Sequence, residues 1–186
     1  MEPIICALLL SAAEDSAFPT SSSPWYLTTS VFFEEAQLKN SGNAQALDFN
    51  DEAAFSFGIG TMASDSLIVE AHYQANELSE SNGDDIRDFE YDQFGLTLGY
   101  EVEVNDKVSL TPRVGFAYTN WDVDIDDDVF GTISADDSDW TWKYGFNVEY
   151  KVDNMTLYAG YMFQQGEFGP VEFDSDGLLF GASLSF

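Results

Sequence analysis

Between Trp140 and Val152 the chain alternates without a slip. Trp140, Trp142, Tyr144, Phe146, Val148, Tyr150 and Val152 are apolar or aromatic. Thr141, Lys143, Gly145, Asn147, Glu149 and Lys151 between them are small, polar or charged. A period of two belongs to a β-strand with one apolar and one polar face. Strands of soluble proteins usually run about five or six residues. At roughly 3.3 Å per residue this one runs about 40 Å. Tilted by about 45° it climbs about 28 Å, close to the roughly 25 Å apolar band of a membrane-spanning barrel. Aromatic residues at both ends suit the two membrane–water interfaces.

Seven further segments repeat the pattern: Trp25–Glu35, Ala53–Met62, Leu67–Leu78, Phe89–Val104, Lys107–Trp121, Met155–Phe163 and Gly177–Phe186. In the first, Trp25, Leu27, Thr29, Val31 and Phe33 share a face; in the last, Leu178, Phe180, Ala182, Leu184 and Phe186 do. Eight strands are an even number, so an antiparallel sheet can close on itself. Closure removes the unpaired edges that lipid cannot solvate. Pro112 falls inside the fifth segment, and a proline removes a ladder donor, so a local bulge is expected there.

The connections alternate short and long. Ala63–Ser66, Asn105–Asp106 and Asp153–Asn154 read as tight turns. Ala36–Asp48, Ser79–Asp88, Val123–Asp139 and Gly166–Asp176 read as long acidic loops. Short turns on the periplasmic side and long loops outside are the outer-membrane arrangement. A two-residue loop at Asp153–Asn154 pairs Tyr150 with Leu157, Val148 with Ala159 and Phe146 with Tyr161, all on the lipid face. A one-residue slip would drive Glu149 and Lys151 into hydrocarbon, so the register is strongly specified. If Val104 and Val108 close the preceding turn, Gly99 faces Arg113, and Glu101 lies diagonal to it within reach.

The inward positions hold Glu70, His72, Glu101, Glu103, Arg113, Lys143, Glu149 and Lys151. Eight strands enclose just enough space for their own side chains. The expected interior is a packed set of ion pairs, because unpaired buried charge is costly.

Composition fits this picture. The longest apolar run, Ile4–Leu10, is far shorter than the roughly 18–20 residues of a membrane helix. A barrel dilutes its lipid face with a polar lumen, so 45% hydrophobic and 16% aromatic content is compatible with membrane crossing. The net charge is −28, with six Lys and Arg against 34 Asp and Glu. That excludes a nucleic-acid phosphate binder and attracts cations. The single cysteine, Cys6, allows no internal disulfide. Residues 1–24 read as a signal-peptide-like segment and spacer, with Ser11-Ala12-Ala13 as a small-residue cleavage site, although Glu2 replaces the usual positive start. Residues 25–186 read as the barrel domain.

The strands F-G-L-T-L-G-Y-E-V-E-V-N-D-K-V-S-L-T-P-R-V-G-F-A-Y and the terminal L-L-F-G-A-S-L-S-F resemble the small eight-stranded outer-membrane barrels of OmpA-like, OmpX-like and opacity-protein-like type. The resemblance covers about Trp25–Phe186. It implies an all-β fold, a closed eight-stranded antiparallel up-and-down transmembrane β-barrel in a Gram-negative outer membrane. It also implies lipid and lipopolysaccharide as surroundings, a monomer, and recognition by the barrel-assembly machinery through the strand ending at Phe186. Unlike in full-length OmpA-type proteins, no peptidoglycan-binding domain is expected after Phe186.

Some barrels of this size are lipid A deacylases or palmitoyltransferases, the former needing His and Ser two residues apart. Here His72 is followed by Tyr73 and Gln74, so His72 reads as a lumen residue bonded to a neighbour such as Glu70. No catalytic, metal-binding or cofactor-binding residue is assigned, and no enzyme or cofactor is expected. The run Asp122–Asp128 resembles a calcium loop only superficially: Asp127 and Ile133 stand where an EF-hand needs Gly and Glu. Divalent cations gathered loosely at the acidic loops remain the ionic partner that the charge suggests. The expected role is a non-enzymatic surface barrel presenting acidic loops. The alternative is an adhesin or receptor acting through those loops. A small ion-conducting pore and a soluble lipocalin-like carrier rank below both; the carrier requires an apolar interior and a polar exterior.

Overall fold

A computed structural model describes residues 25–40, 46–82, 85–127, 131–169 and 171–186. The signal-like segment and its spacer lie outside the described residues. The strands are β1 (Trp25–Asn40), β2 (Ala46–Met62), β3 (Leu67–Asn82), β4 (Asp85–Tyr100), β5 (Val102–Asn105), β6 (Val108–Asp127), β7 (Gly131–Val152), β8 (Met155–Phe168) and β9 (Val171–Ser185). All neighbours are antiparallel, β1 pairs with both β2 and β9, and β4 pairs with β6, which closes the wall. β4 and β5 form one stave interrupted at Glu101, so the barrel has the eight staves that the alternation predicts.

The interruption has a chemical cause. Gly99 pairs with Arg113 and Val102 with Leu110 in one continuous register, which sets Tyr100 opposite Pro112. Proline offers no amide hydrogen, and the ladder breaks at its level. No bulge forms at Pro112 itself, which pairs with Phe146 in an unbroken β6–β7 register. The bulge expected there is replaced by this gap. Irregularities occur instead between Glu103 and Asn105 and between Glu34 and Ala36. Asn105 pairs with Val108, so the turn is Asp106–Lys107 rather than Asn105–Asp106. The Asp153–Asn154 turn has the expected register, with Tyr150↔Leu157, Val148↔Ala159 and Phe146↔Tyr161. Asp153 adopts φ 53°, as tight hairpin turns require.

Large apolar side chains cover the outside of the wall: Phe55 is 65% exposed, Phe94 63%, Trp142 61% and Phe180 47%. Exposed apolar side chains of this number need lipid around them. The described parts of the long acidic connections, however, are mostly strand rather than loop. β1 continues to Asn40, β6 to Asp127, and β7 starts at Gly131. The alternation carries on while its polarity inverts. On β1, outward Phe33 and inward Glu34 give way to outward Glu35 and Gln37 and inward Ala36 and Leu38. On β4, outward Phe94 and inward Gln93 give way to outward Asp92 and Glu90 and inward Tyr91 and Phe89. β6 changes between Tyr118 and Asn120, β8 between Phe163 and Gln165, and β9 between Leu178 and Asp176. On these five strands the change falls at neighbouring register positions, Glu35↔Asp176, Asp92↔Asn120 and Gln165↔Asp174, where the strands leave lipid for water.

Above that level the wall divides. β2 and β3 last pair at Phe55↔Ala75, and β7 and β8 last pair at Thr141↔Gly166. These two gaps lie opposite each other and leave two four-stranded sheets, β3-β4-β6-β7 and β2-β1-β9-β8. Together they form a head above the barrel, packed around Phe49, Phe89, Tyr91, Trp121, Phe168 and Phe173. The β2 irregularity matters here. Glu34 pairs with Glu52 but Ala36 with Phe49, so one extra β2 residue turns Phe49 inward.

Candidate functional site: a charged lumen under an aromatic head

Gly99 and Gly145 pair with Arg113 on the two flanking strands, and a Cβ at Gly99 would already touch Arg113 Cγ at 3.5 Å. Its Nη1 donates to Glu70 Oε2 at 3.1 Å, and its Nη2 lies 3.6 Å from Glu149 Oε1. Tyr26 Oη donates to the same Glu70 oxygen at 2.9 Å. The guanidinium carbon sits 6.0 Å from the centre of the Tyr158 ring, a cation–π distance. With the Asn147 amide turned to satisfy both its ends, its oxygen accepts from Arg113 Nε at 3.1 Å.

The Gly99–Arg113 register is as expected, but Glu101 does not pair with Arg113. It bonds Lys151, which also lies 3.7 Å from Glu103. Register gives neighbours along the wall, whereas Arg113 finds Glu70 across it. Two carboxylates already satisfy the guanidinium, which leaves Glu101 to the ammonium nearer the short-turn rim.

His72 is a lumen residue, but its partner is not Glu70. Its Nε2 lies 3.3 Å from Lys143 Nζ and its Nδ1 3.5 Å from Thr97 Oγ1. Lys143 also donates to Gln74 Oε1 at 2.9 Å. Arg113 and Tyr26 occupy Glu70 instead.

At the level where the wall divides sits Glu34, only 1% exposed. Sequence reading ended this strand at Glu35 and left Glu34 out of the inward charges, whereas the strand continues to Asn40. Its carboxylate accepts from Asn76, Tyr91 and Ser175, and from Gln164 Nε2 at 3.4 Å. Asn76 and Tyr91 belong to one upper sheet, Gln164 and Ser175 to the other. One buried carboxylate thus clasps both halves of the head at their root. Directly above, Phe89 meets Phe49, Tyr91, Trp121 and Phe173 with ring centres 5.6–6.1 Å apart. The polar lumen is thereby closed on that side by stacked rings.

The lumen charges nearly balance: Glu34, Glu70, Glu101 and Glu149 against Arg113, Lys143 and Lys151. The acidity of the chain therefore lies outside. Asp122 and Asp124 are exposed on the outer face of β6, with Val123 buried between them. This part of the Asp122–Asp128 run is strand, not a chelating loop; Asp128 lies outside the described residues. Among the described residues, no three acidic, histidine or cysteine side chains converge on a metal-sized site.

A closed all-strand wall with an apolar outer band and a charged interior defines a transmembrane β-barrel of the outer-membrane class. The chain belongs to the outer membrane protein β-barrel family, whose domain description, "Outer membrane protein beta-barrel domain", matches residues 4–186. Its place is accordingly the outer membrane of a Gram-negative bacterium. No curated protein sequence matches the chain. Among solved structures it is similar to Neisserial surface protein A, with TM-score 0.63 and 17% identity over 89% of this chain and 99% of that one. Ail, the attachment invasion locus protein of Yersinia pestis, aligns with TM-score 0.56 and 14% identity over 88% and 100%. The outer membrane protease OmpT of Escherichia coli aligns with TM-score 0.55 and 11% identity over 92% and 100%. Identities this low speak for the fold alone. Because one of the three is a protease, the fold does not decide whether a barrel is an enzyme.

Proposed function

We propose that this protein is a non-enzymatic anchor that holds an acidic two-sheet head on the cell surface. One observation carries the reading: the inversion of polarity at matching register positions on β1, β4, β6, β8 and β9. The same strands cross lipid and then continue, without a linker, into a water-exposed sandwich. A lumen filled by ion pairs and closed by rings supports a structural rather than a transport role. His72 is buried between Lys143 and Thr97, and this packed setting in the lumen supports a structural role. The short turns then face the periplasm and the head faces outward, amid lipopolysaccharide. The outward row Leu178, Phe180 and Leu184 on β9, with Phe186 just after it, supports recognition by the barrel-assembly machinery.

Adhesion or receptor binding is the second reading, favoured by the exposed acidic outer faces of the head. Cysteine labelling tests the shared premise. In a C6S background, Ser138→Cys on the head should react with a membrane-impermeant maleimide on intact cells. Asn154→Cys in the short turn should react only after lysis. The reverse pattern would overturn the orientation, and steady porin-sized conductance of the pure protein in planar bilayers would overturn the packed lumen.

A further inference from the structure

β7 pairs with β6 along its whole length, from Gly131↔Asp127 to Tyr150↔Val108. It pairs with β8 only from Thr141↔Gly166 downward. From Gly131 to Trp140, the other edge of β7 therefore has no strand partner among the described residues. β8 ends at Phe168, so most of this edge stands clear of the wall. Gly169 lies beside the Asp137 carboxylate, so the clear stretch among the described residues is Gly131–Asp136, about 20 Å at roughly 3.3 Å per residue. At the foot of the edge the Ser138 and Trp140 N–H groups are bonded to Asp137 Oδ1 and Asp139 Oδ1 at 2.7 Å, and the outward C=O groups and upper N–H groups are a template for another strand. The opposite gap differs in the reach of its second strand: β2 continues nine residues above its last β3 pair, to Ala46, whereas β8 ends two residues above its own last β7 pair.

Charge decides which strand can dock. Asp136, Asp137 and Asp139 are exposed on this edge. A cleft of about 630 Å³ at its foot is lined by Asp139, Glu167, Glu172 and Asp174 together with Trp140 and Trp142. Lys39 Nζ, 2.9 Å from Asp174, is the cation bonded there. A second copy laid along the edge would bring aspartates against aspartates, which is destabilising. The charges thus guard the edge against self-pairing while leaving it open to a strand of opposite sign. The Trp140 indole, 53% exposed at the boundary, offers a face to the stems and heads of basic side chains.

We infer that the free edge of β7 above Thr141 binds an extended, lysine- or arginine-rich peptide segment as an added strand. The inference rests on the surface reading above, since the partner must reach the head from outside.

The test uses the full refolded barrel in nanodiscs and ten-residue probe peptides. These are alternating Lys–Val, alternating Glu–Val, and Lys–Val with every amide N-methylated. The Lys–Val peptide should slow hydrogen exchange at alternate amides of Gly131–Trp140 and leave Asn76–Asn82 unchanged. Its affinity should fall at least tenfold when Asp136, Asp137 and Asp139 all become Asn. The methylated peptide, which keeps the charge and loses the donors, should give no protection. The inference is overturned if no peptide protects the edge, if Glu–Val protects it equally, or if Lys–Val binds without protecting it. Surface labelling of Ser138→Cys separates the two levels. A labelled head without peptide protection removes only the partner, whereas an unlabelled head removes the surface reading itself.

Discussion

Arg113 shows how single residues govern this interior. Its guanidinium serves Glu70 and Glu149 at once and lies by the Tyr158 ring, so three staves converge on one side chain. Removing it leaves two carboxylates buried without a cation. Breaking such a pair typically costs about 3–5 kcal/mol, whereas replacing all its charges together is often neutral. Arg113→Met should therefore lower stability by that amount, read from urea unfolding followed by tryptophan fluorescence in detergent. Adding Glu70→Gln and Glu149→Gln should restore most of it. If the single and triple variants unfold alike, Arg113 acts through packing rather than charge. Partners such as Glu70 were not legible in the sequence, because strand register specifies neighbours along the wall and says nothing of reach across the lumen. The same blindness hid the Lys143 contact of His72 and the pairing of Glu101 with Lys151.

At the scale of the strand, the alternation made most of the barrel legible. The register at Asp153–Asn154 and the inward side of Lys143, Glu149 and Lys151 follow from period two and a lipid exterior alone. The upper strands were misread for a physical reason. Acidity signals a loop only where the apolar face is assumed to stay outside. In Asp88–Asp92 and Asn120–Asp124 the period persists with the opposite sign, because water has replaced lipid and the rings have moved within. The inversion also locates the membrane boundary, and β9 tests it. Ala182 lies mid-band on the outer face, while Leu178 is the last apolar outward position before Asp176. An arginine costs about 2–4 kcal/mol at the midplane and about 0–1 near the interface. Ala182→Arg should therefore destabilise the folded barrel by several-fold more than Leu178→Arg in lipid vesicles. Equal costs would mean that the boundary does not fall at Leu178 and Asp176.

Barrel and head share strands yet are held together by different forces. Below Glu34 the wall is closed, each strand pairs on both sides, and lipid encloses it. Above it, two sheets meet only through side chains, with Phe89 at the centre of the contact. An aromatic truncated to alanine in a packed core costs about 3–5 kcal/mol. Phe89→Ala should place that loss in the head alone, since no ladder hydrogen bond of the barrel depends on the ring. Amide exchange should accelerate in Asp85–Asp92, Asn120–Asp127 and Val171–Asp174. The amides of Trp142–Tyr150 should keep their protection, and the heat-dependent gel shift of the folded barrel should persist. The Glu34 clasp makes this division testable at a sharp level, because it is the lowest point at which both sheets meet through one group. If Phe89→Ala instead speeds exchange through Trp142–Tyr150 as well, head and barrel unfold as one unit. The head would then be a structural continuation of the barrel rather than a separable surface that a partner can engage without disturbing the membrane anchor.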